Sequence, residues 1–254
     1  MNNYKFDIVH SLSGINAEDW NSLNNGNTVT SYEFLAALEE TGNVGDESGW
    51  LPAHLIATLN KRLVGSAPLY IKTHSYGEYI FDWAWADAYH RSGLDYYPKL
   101  VSAVPFTPTT GPRLLAADLD VKNALANAVL SFTKDNQLSS FHCLYPEEED
   151  LLVWKKSGCL LRKSIQFHWT NQNYENFTQY LSSMKSVKRK KIKQERKRVI
   201  DSDVKFRTIS GDQACEDDWE FFYDCYQHTY NIRGSNPYLN FDFFLELKNK
   251  IGKN

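Results

Sequence analysis

"LPAHLIATLNKRLVGSAPLYIK", residues Leu51–Lys72, is the stretch that decides the fold. It consists of two apolar runs on either side of the polar pair Asn60-Lys61, which predicts a β-hairpin turning at that pair. Upstream, "YKFDIVH" (Tyr4–His10) alternates apolar and polar residues in the manner of a strand. Two helices are predicted between these segments. In "NAEDWNSL", Asn16 is the N-cap; in "SYEFLAALEETG", Ser31 is the cap, Phe34, Leu35 and Leu38 share a face, and Gly42 is the stop.

Downstream, "VSAVPFTPTTGPRLL" carries Pro105, Pro108 and Pro112, which predict a rigid, shaped loop flanked by strands. "DVKNALANAVLSFTKDN" reads as a helix capped by Asp120, with Leu125, Val129 and Phe132 on one face. "LSSFHCLYP" reads as a buried strand. "EEEDLLVWKKSG" reads as a helix with acids first and lysines last, matching the helix dipole. "CLLRKSIQFHW" reads as a further strand. Tyr4–Trp169 therefore has the order β-α-α-β-β-loop-β-α-β-α-β, a mixed α/β (α+β) unit around one sheet.

After residue 170 helix follows helix. "NYENFTQYLSSM" leads into Lys185–Val199, "KSVKRKKIKQERKRV", where nine of fifteen residues are Lys or Arg and only Glu195 is acidic. A strand "DVKFRTI" (Asp203–Ile209) and two helices around Trp219 and Phe243 follow. This β-α-α order repeats the start of the chain and predicts a second unit over residues 171–254, after a first over residues 1–170.

The 254 residues are 42% hydrophobic, enough to bury a core, and no apolar run is long enough to span a membrane. "MNNYKFDIVH" lacks the basic and apolar regions of a secretory signal. The four cysteines form no CxxC pair and read as reduced thiols of a cytoplasmic protein. The seven histidines show no HxH or HExxH, so nothing points to a metal site.

One block, His74–Leu115, is dense in aromatics and carboxylates: "HSYGEYIFDWAWADAYHRSGLDYYPKLVSAVPFTPTTGPRLL". It follows neither helix nor strand period well. This block resembles the signature of the FemAB-like predicted N-acyltransferases, a bacterial family of peptidoglycan biosynthesis or recognition. "SYEFLAALEETGNVGDESGWLPAHL", the segment from Gln166 to Val199 and "NPYLNFDFF" carry the resemblance over nearly the whole chain. It implies a GNAT-like (acyl-CoA N-acyltransferase) fold, one complete unit plus the start of a second that is truncated relative to family members. It implies transfer of an acyl or aminoacyl group to an amine, in peptidoglycan precursor metabolism, with acyl-CoA or aminoacyl-tRNA as donor and a small-molecule or peptide substrate as acceptor. The alternative is a non-catalytic remnant that recognises a cell-wall precursor or a phosphate-bearing ligand. The Q/RxxGxG/A phosphate loop of ordinary GNAT enzymes has no counterpart in "TPTTGPRLLAADLDVKNAL", so acetyl-CoA binding there is not supported.

Amide-forming transfer needs a neutral amine, an activated carbonyl held close and donors for the developing oxyanion. No GxSxG or Cys/His signature suggests covalent catalysis. The candidate catalytic residues are Glu78, Asp82 and Asp87, set among Tyr76, Trp83, Trp85 and Tyr89. Carboxylates beside large aromatics lose solvent and become better bases. The competing reading pairs them with Arg91, Lys99 or Arg113, or has them cap turns. Lys99 and Arg113 are expected to bind a carboxylate or phosphate, or to form surface salt bridges. Tyr97, Thr107 and His168 complete the expected substrate site.

Lys188, Arg189, Lys190, Lys191 and Arg196 are the expected anion-binding residues of the basic run. A charge run is either a solvated helix or a phosphate-binding face. The run contains no aromatic residue, so phosphates would be met without base stacking. The resemblance implies tRNA or a diphosphate-linked precursor as the anion.

Overall fold

The computed structural model describes residues 3–251. These form two compact units: one from residues up to Leu160 together with those from Ser210 on, the other Leu161–Ile209.

The predicted hairpin is the spine of the first unit, and it is longer than the four strands it comprises. Strands β2 (Trp50–Pro52) and β3 (His54–Leu59) form one arm, and β4 (Arg62–Ala67) and β5 (Tyr70–Lys72) the other. Register is constant from Trp50↔Lys72 to Ala57↔Gly65, then shifts at a bulge between Ala57 and Thr58. Asn60 and Lys61 adopt φ of 52° and 65°, the left-handed pair that a two-residue hairpin turn requires. Pro68 has no N–H to give the ladder at mid-arm. There the Leu69 N–H instead donates to His54 Nδ1 (3.2 Å).

At this interruption the hairpin passes from one sheet to another. β1 (Lys5–Val9) pairs antiparallel with β3, giving the order β1-β3-β4. β6 (Lys99–Ser102) pairs antiparallel with β5, and β7 (Phe141–Cys143) parallel with β6, giving β2-β5-β6-β7. The single sheet expected from the sequence is thus two ladders joined by one hairpin.

The predicted caps hold for the first two helices. Asn16 Oδ1 accepts from Asp19 N (2.9 Å) to start α1 (Ala17–Ser22), and Ser31 Oγ accepts from Phe34 N (3.3 Å) to start α2 (Tyr32–Glu40). The block read as aperiodic contains α3 (Trp83–Arg91), which buries no residue and so has no apolar stripe to betray it. α4 (Leu119–Asp135) starts one residue before the expected cap. Asp118, not Asp120, is its N-cap, because its carboxylate accepts the Asp120 N–H (2.7 Å). α5 (Glu148–Lys156) follows β7.

The second unit corrects the reading most. Its helices are α6 (Phe177–Ser182) and the basic α7 (Ser186–Asp201). The strands expected at Cys159–Trp169 and Asp203–Ile209 are absent, and both stretches are irregular and largely exposed. Alternation makes a strand only where a partner backbone pairs with it, and no neighbouring strand does so here.

α8 (Glu216–Ile232) and α9 (Phe241–Ile251) return to the first unit rather than continuing the second. The stretch "NFDFFLELKNKIG" reads as this last helix, and its final residue, Gly252, lies outside the described residues. α9 lies on α2: Phe34 meets Phe243 edge-on at 5.6 Å, and Phe243 and Phe244 are buried. Asn43 and Asn240 clasp each other through two hydrogen bonds (2.8 and 3.0 Å), and Lys250 pairs with Glu40. The apolar side chains around Phe243 thus find cover on the first unit. Phe221 and Phe222 stay exposed on α8.

Buried polar groups fix the loop after β6. Asp150 accepts from the backbone N–H of Arg113 (2.5 Å) and Leu114 (2.9 Å) and from Lys122 Nζ (3.0 Å). Lys122 also reaches Glu147 and Glu149, so this acidic group carries its own counter-ion. Asp150→Ala strands two buried amide donors and should cost about 3 kcal/mol, read as a lower urea midpoint. Glu147→Gln, at the exposed rim of the cluster, should change it by less than about 0.5 kcal/mol.

Candidate functional site

Lys72 and Lys99 are register partners on β5 and β6, and both are fully buried. Like charges facing each other across a strand pair are destabilising and demand compensation. The segment after β5 supplies it. Glu78 Oε2 (2.9 Å) and Asp82 Oδ2 (2.5 Å) both accept from Lys99 Nζ, which also donates to Ser75 Oγ (2.8 Å). Tyr96 adds a hydroxyl to Asp82 (2.6 Å), and Tyr97 OH meets Ser75 Oγ (2.8 Å). Lys72 lies over the Trp50 ring at 3.9 Å and donates to the Tyr76 carbonyl (3.3 Å).

Charge state follows from these surroundings. Burial pulls Lys72 from 10.5 to about 7; Glu78 opposes the shift and Lys99 adds to it. Burial raises Glu78 above the usual carboxylate range despite Lys99. Burial also acts to raise Asp82, but bonds from Lys99, Ser75 and Tyr96 outweigh it and hold the group low. Oε1 of Glu78 and Oδ1 of Asp82 are buried without a hydrogen-bond partner.

The compensated segment forms one wall of a cleft of about 410 Å³. His74, Tyr76 and Phe106 line it from one side, Glu47 and Ser48 from the loop before β2, and Tyr223, Gln227 and Tyr238 from α8 and the turn after it. Phe106 and Tyr238 stack at 5.0 Å and 17°. Gly77 is required at the base of this wall. It has φ +81°, and a Cβ there would come within 2.6 Å of Phe106 and 3.2 Å of the Trp50 indole nitrogen. Burial, then the charges of Lys72 and Lys99, lower the His74 pKa, so its ring is neutral near pH 7. His74 Nδ1 accepts from the Tyr76 N–H (3.3 Å), which leaves Nε2 as the protonated, donating nitrogen.

The expected site residues fall into separate settings. Tyr76 lines the cleft. Glu78, Asp82, Lys99 and Tyr97 lie in the buried cluster, where the acids are paired with Lys99, as the competing reading had it. Asp87 is exposed on α3 and pairs with Arg91 (3.1 Å). Trp83 and Trp85 are half-exposed on the same helix. Arg113 is fully buried rather than available to a ligand. Its fork donates to the carbonyls of Leu144 (3.0 Å), Pro112 (2.9 Å) and Thr109 (2.7 Å), and so shapes the proline-rich loop. Thr107 Oγ1 donates to Pro105 O (3.1 Å). His168 belongs to the second unit, exposed and bonded to Gln166 (3.3 Å).

Lys188, Lys190, Lys191 and Arg196 are exposed on α7, with Arg189 partly covered. Sequence reasoning missed Lys72, His74, Glu47, Gln227 and Tyr238. Lys72 and His74 lie in or beside the aromatic block, but nothing local to Gln227 or Tyr238 tied them to it.

Lys99→Met should cost about 3–5 kcal/mol in urea denaturation, because it leaves two buried carboxylates without their cation. Lys72 gives a pH signature. Its folded pKa lies below its unfolded one, so its burial penalty is full below about pH 7 and fades as pH rises. Stability should climb from about pH 7 to about 10.5, and Lys72→Met should flatten that slope.

Among the described residues no helix is long and apolar enough to cross a membrane. No curated protein and no solved structure matches the chain. One family model does, over residues 11–254, and it includes the hairpin, the buried lysine pair, the cleft and α7. The chain belongs to the FemAB-like family, described as peptidoglycan biosynthesis/recognition.

Proposed function

We propose that the protein transfers an acyl or aminoacyl group to the amine of a peptidoglycan precursor, with the aromatic cleft as the acceptor site. The observation that carries this reading is the lining of the cleft: the rings of Tyr76, Phe106, Tyr223 and Tyr238, with the Glu47 carboxylate and a neutral His74. Aromatic faces and a carboxylate attract an ammonium group. The bound ammonium first releases one proton to solvent, and Glu47 then takes a second as the neutral amine nitrogen attacks the acyl carbon. His74 Nε2–H donates to the carbonyl oxygen as negative charge develops on it. The new C–N bond forms, the thioester or ester bond to the donor breaks, and the proton passes to the departing thiol or hydroxyl. Proximity in the cleft supplies the rest of the acceleration.

The buried cluster has a different role in this reading. Glu78 and Asp82, first read as bases, act as positioning residues through Lys99 and hold the segment that presents His74 and Tyr76. The same pairing favours a second reading, non-catalytic recognition of a cell-wall precursor in this cleft, because two of the three expected bases are spent on a lysine.

One assay separates the two. The purified chain is incubated with a stem-peptide amine and either acyl-CoA or aminoacyl-tRNA, and the amide product is followed by mass. Transfer is expected, with Glu47→Gln lowering kcat about a hundredfold and Tyr76→Ala raising KM roughly tenfold. Stem-peptide binding without product from either donor supports recognition instead. Wild-type turnover in Glu47→Gln removes that residue from the mechanism.

A further inference from the structure

The second compact unit holds a feature that the basic run alone did not suggest. Trp169, Tyr174, Phe177 and Tyr180 surround a shallow cavity of about 500 Å³, with Asn171 and Asn176 at its edge. Each of the other three rings meets Tyr180, with centroids 5.4–5.8 Å apart. Asn171 Oδ1 accepts from Tyr174 N (3.0 Å) and Asn176 Oδ1 from Gln179 N (3.0 Å). These bonds orient both side chains and leave their Nδ2 groups as donors.

The aromatic wall adjoins α7. The Arg196 guanidinium lies 4.4 Å from the Phe177 ring centroid. Two turns earlier on the same face, Arg189 donates to Ser182 O of α6 (3.5 Å). α7 carries eight Lys or Arg against Glu195 and Asp201.

We propose that this cavity is a nucleotide site: a base stacks on the aromatic wall, the Asn171 and Asn176 amides meet its edge, and its phosphate is held by Arg196 and the basic face of α7. Each alternative leaves part of the geometry unused. A bare phosphate needs no rings. A cationic ligand is repelled by α7. A lipid surface has no use for paired side-chain amides at the edge of a hollow. A flat heterocycle joined to a phosphate uses all three features, and base–aromatic stacking tolerates any base. The site lies wholly within the second unit and does not rest on the transfer reading.

The test is titration of the full chain with UDP, ADP, inorganic pyrophosphate and a short single-stranded oligoribonucleotide, with phosphatidylglycerol vesicles in parallel. Nucleoside diphosphates are expected to bind more tightly than pyrophosphate. Trp169→Ala, a surface change, should weaken nucleotide binding roughly tenfold and leave pyrophosphate unchanged. Arg196→Gln should weaken both and reduce the salt dependence. Full-strength mononucleotide binding assigns a free nucleotide as the ligand. Affinity that depends on Trp169 and grows with strand length assigns single-stranded RNA. Both outcomes uphold the site. Pyrophosphate binding as tightly as UDP and ADP overturns it, as does unchanged nucleotide affinity in Trp169→Ala, or vesicle binding with no nucleotide binding.

Discussion

Two lysines facing each other inside a sheet set the constraint that shapes the first unit. Lys72 and Lys99 are brought together by strand register, so neither can turn away without breaking the β5–β6 ladder. Glu78 and Asp82 must therefore reach back under the segment that carries them. That return fixes the path from His74 to Asp82, forces a left-handed turn at Gly77, and leaves the rings of Tyr76, Phe81 and Trp83 on the outside. Buried ion clusters seldom add net stability over apolar packing of the same shape. This one selects one loop path, and the wall of the cleft follows from it.

The opposite wall arrives from far along the chain. Asn43 and Asn240 are bonded across nearly the whole sequence, and α9 rests on α2 through aromatic contacts. The stack of Phe106 on Tyr238 joins the two walls. Phe106 and Tyr79 both hold positive φ, and each touches Tyr238. Non-glycine residues stay in that region only where surrounding contacts hold them there, and here those contacts are the cleft itself. The cleft is thus a tertiary product: His74 on one side and Tyr238 on the other stand 164 residues apart in the chain.

That distance explains what could be read from the sequence. The hairpin, the first two caps and the helix order rest on local chemistry, and a positive-φ pair at Asn60-Lys61 or a Ser31 cap acts within a few residues. The strands read at Cys159–Trp169 and Asp203–Ile209 failed because alternation is local while a ladder needs a partner. α3 escaped notice for the converse reason: a helix that buries nothing has no stripe. In the candidate site, Tyr76 of the aromatic block lines the cleft, and the same block holds the charged cluster beside it. It could not reveal that Lys99 neutralises Glu78 and Asp82, because that depends on cross-strand register. Arg113 looked available for a ligand, yet its guanidinium is consumed by three carbonyls of its own neighbourhood.

The basic run changes meaning in the same way. Read as a string it has no aromatic residue, and stacking seemed excluded. Folded, the rings come from the preceding segment, and Arg196 lies against one of them. The charge of the chain is accordingly divided. The first unit presents a cleft with rings and a carboxylate, suited to a cation, while the second presents rings beside a dense positive face, suited to an anion.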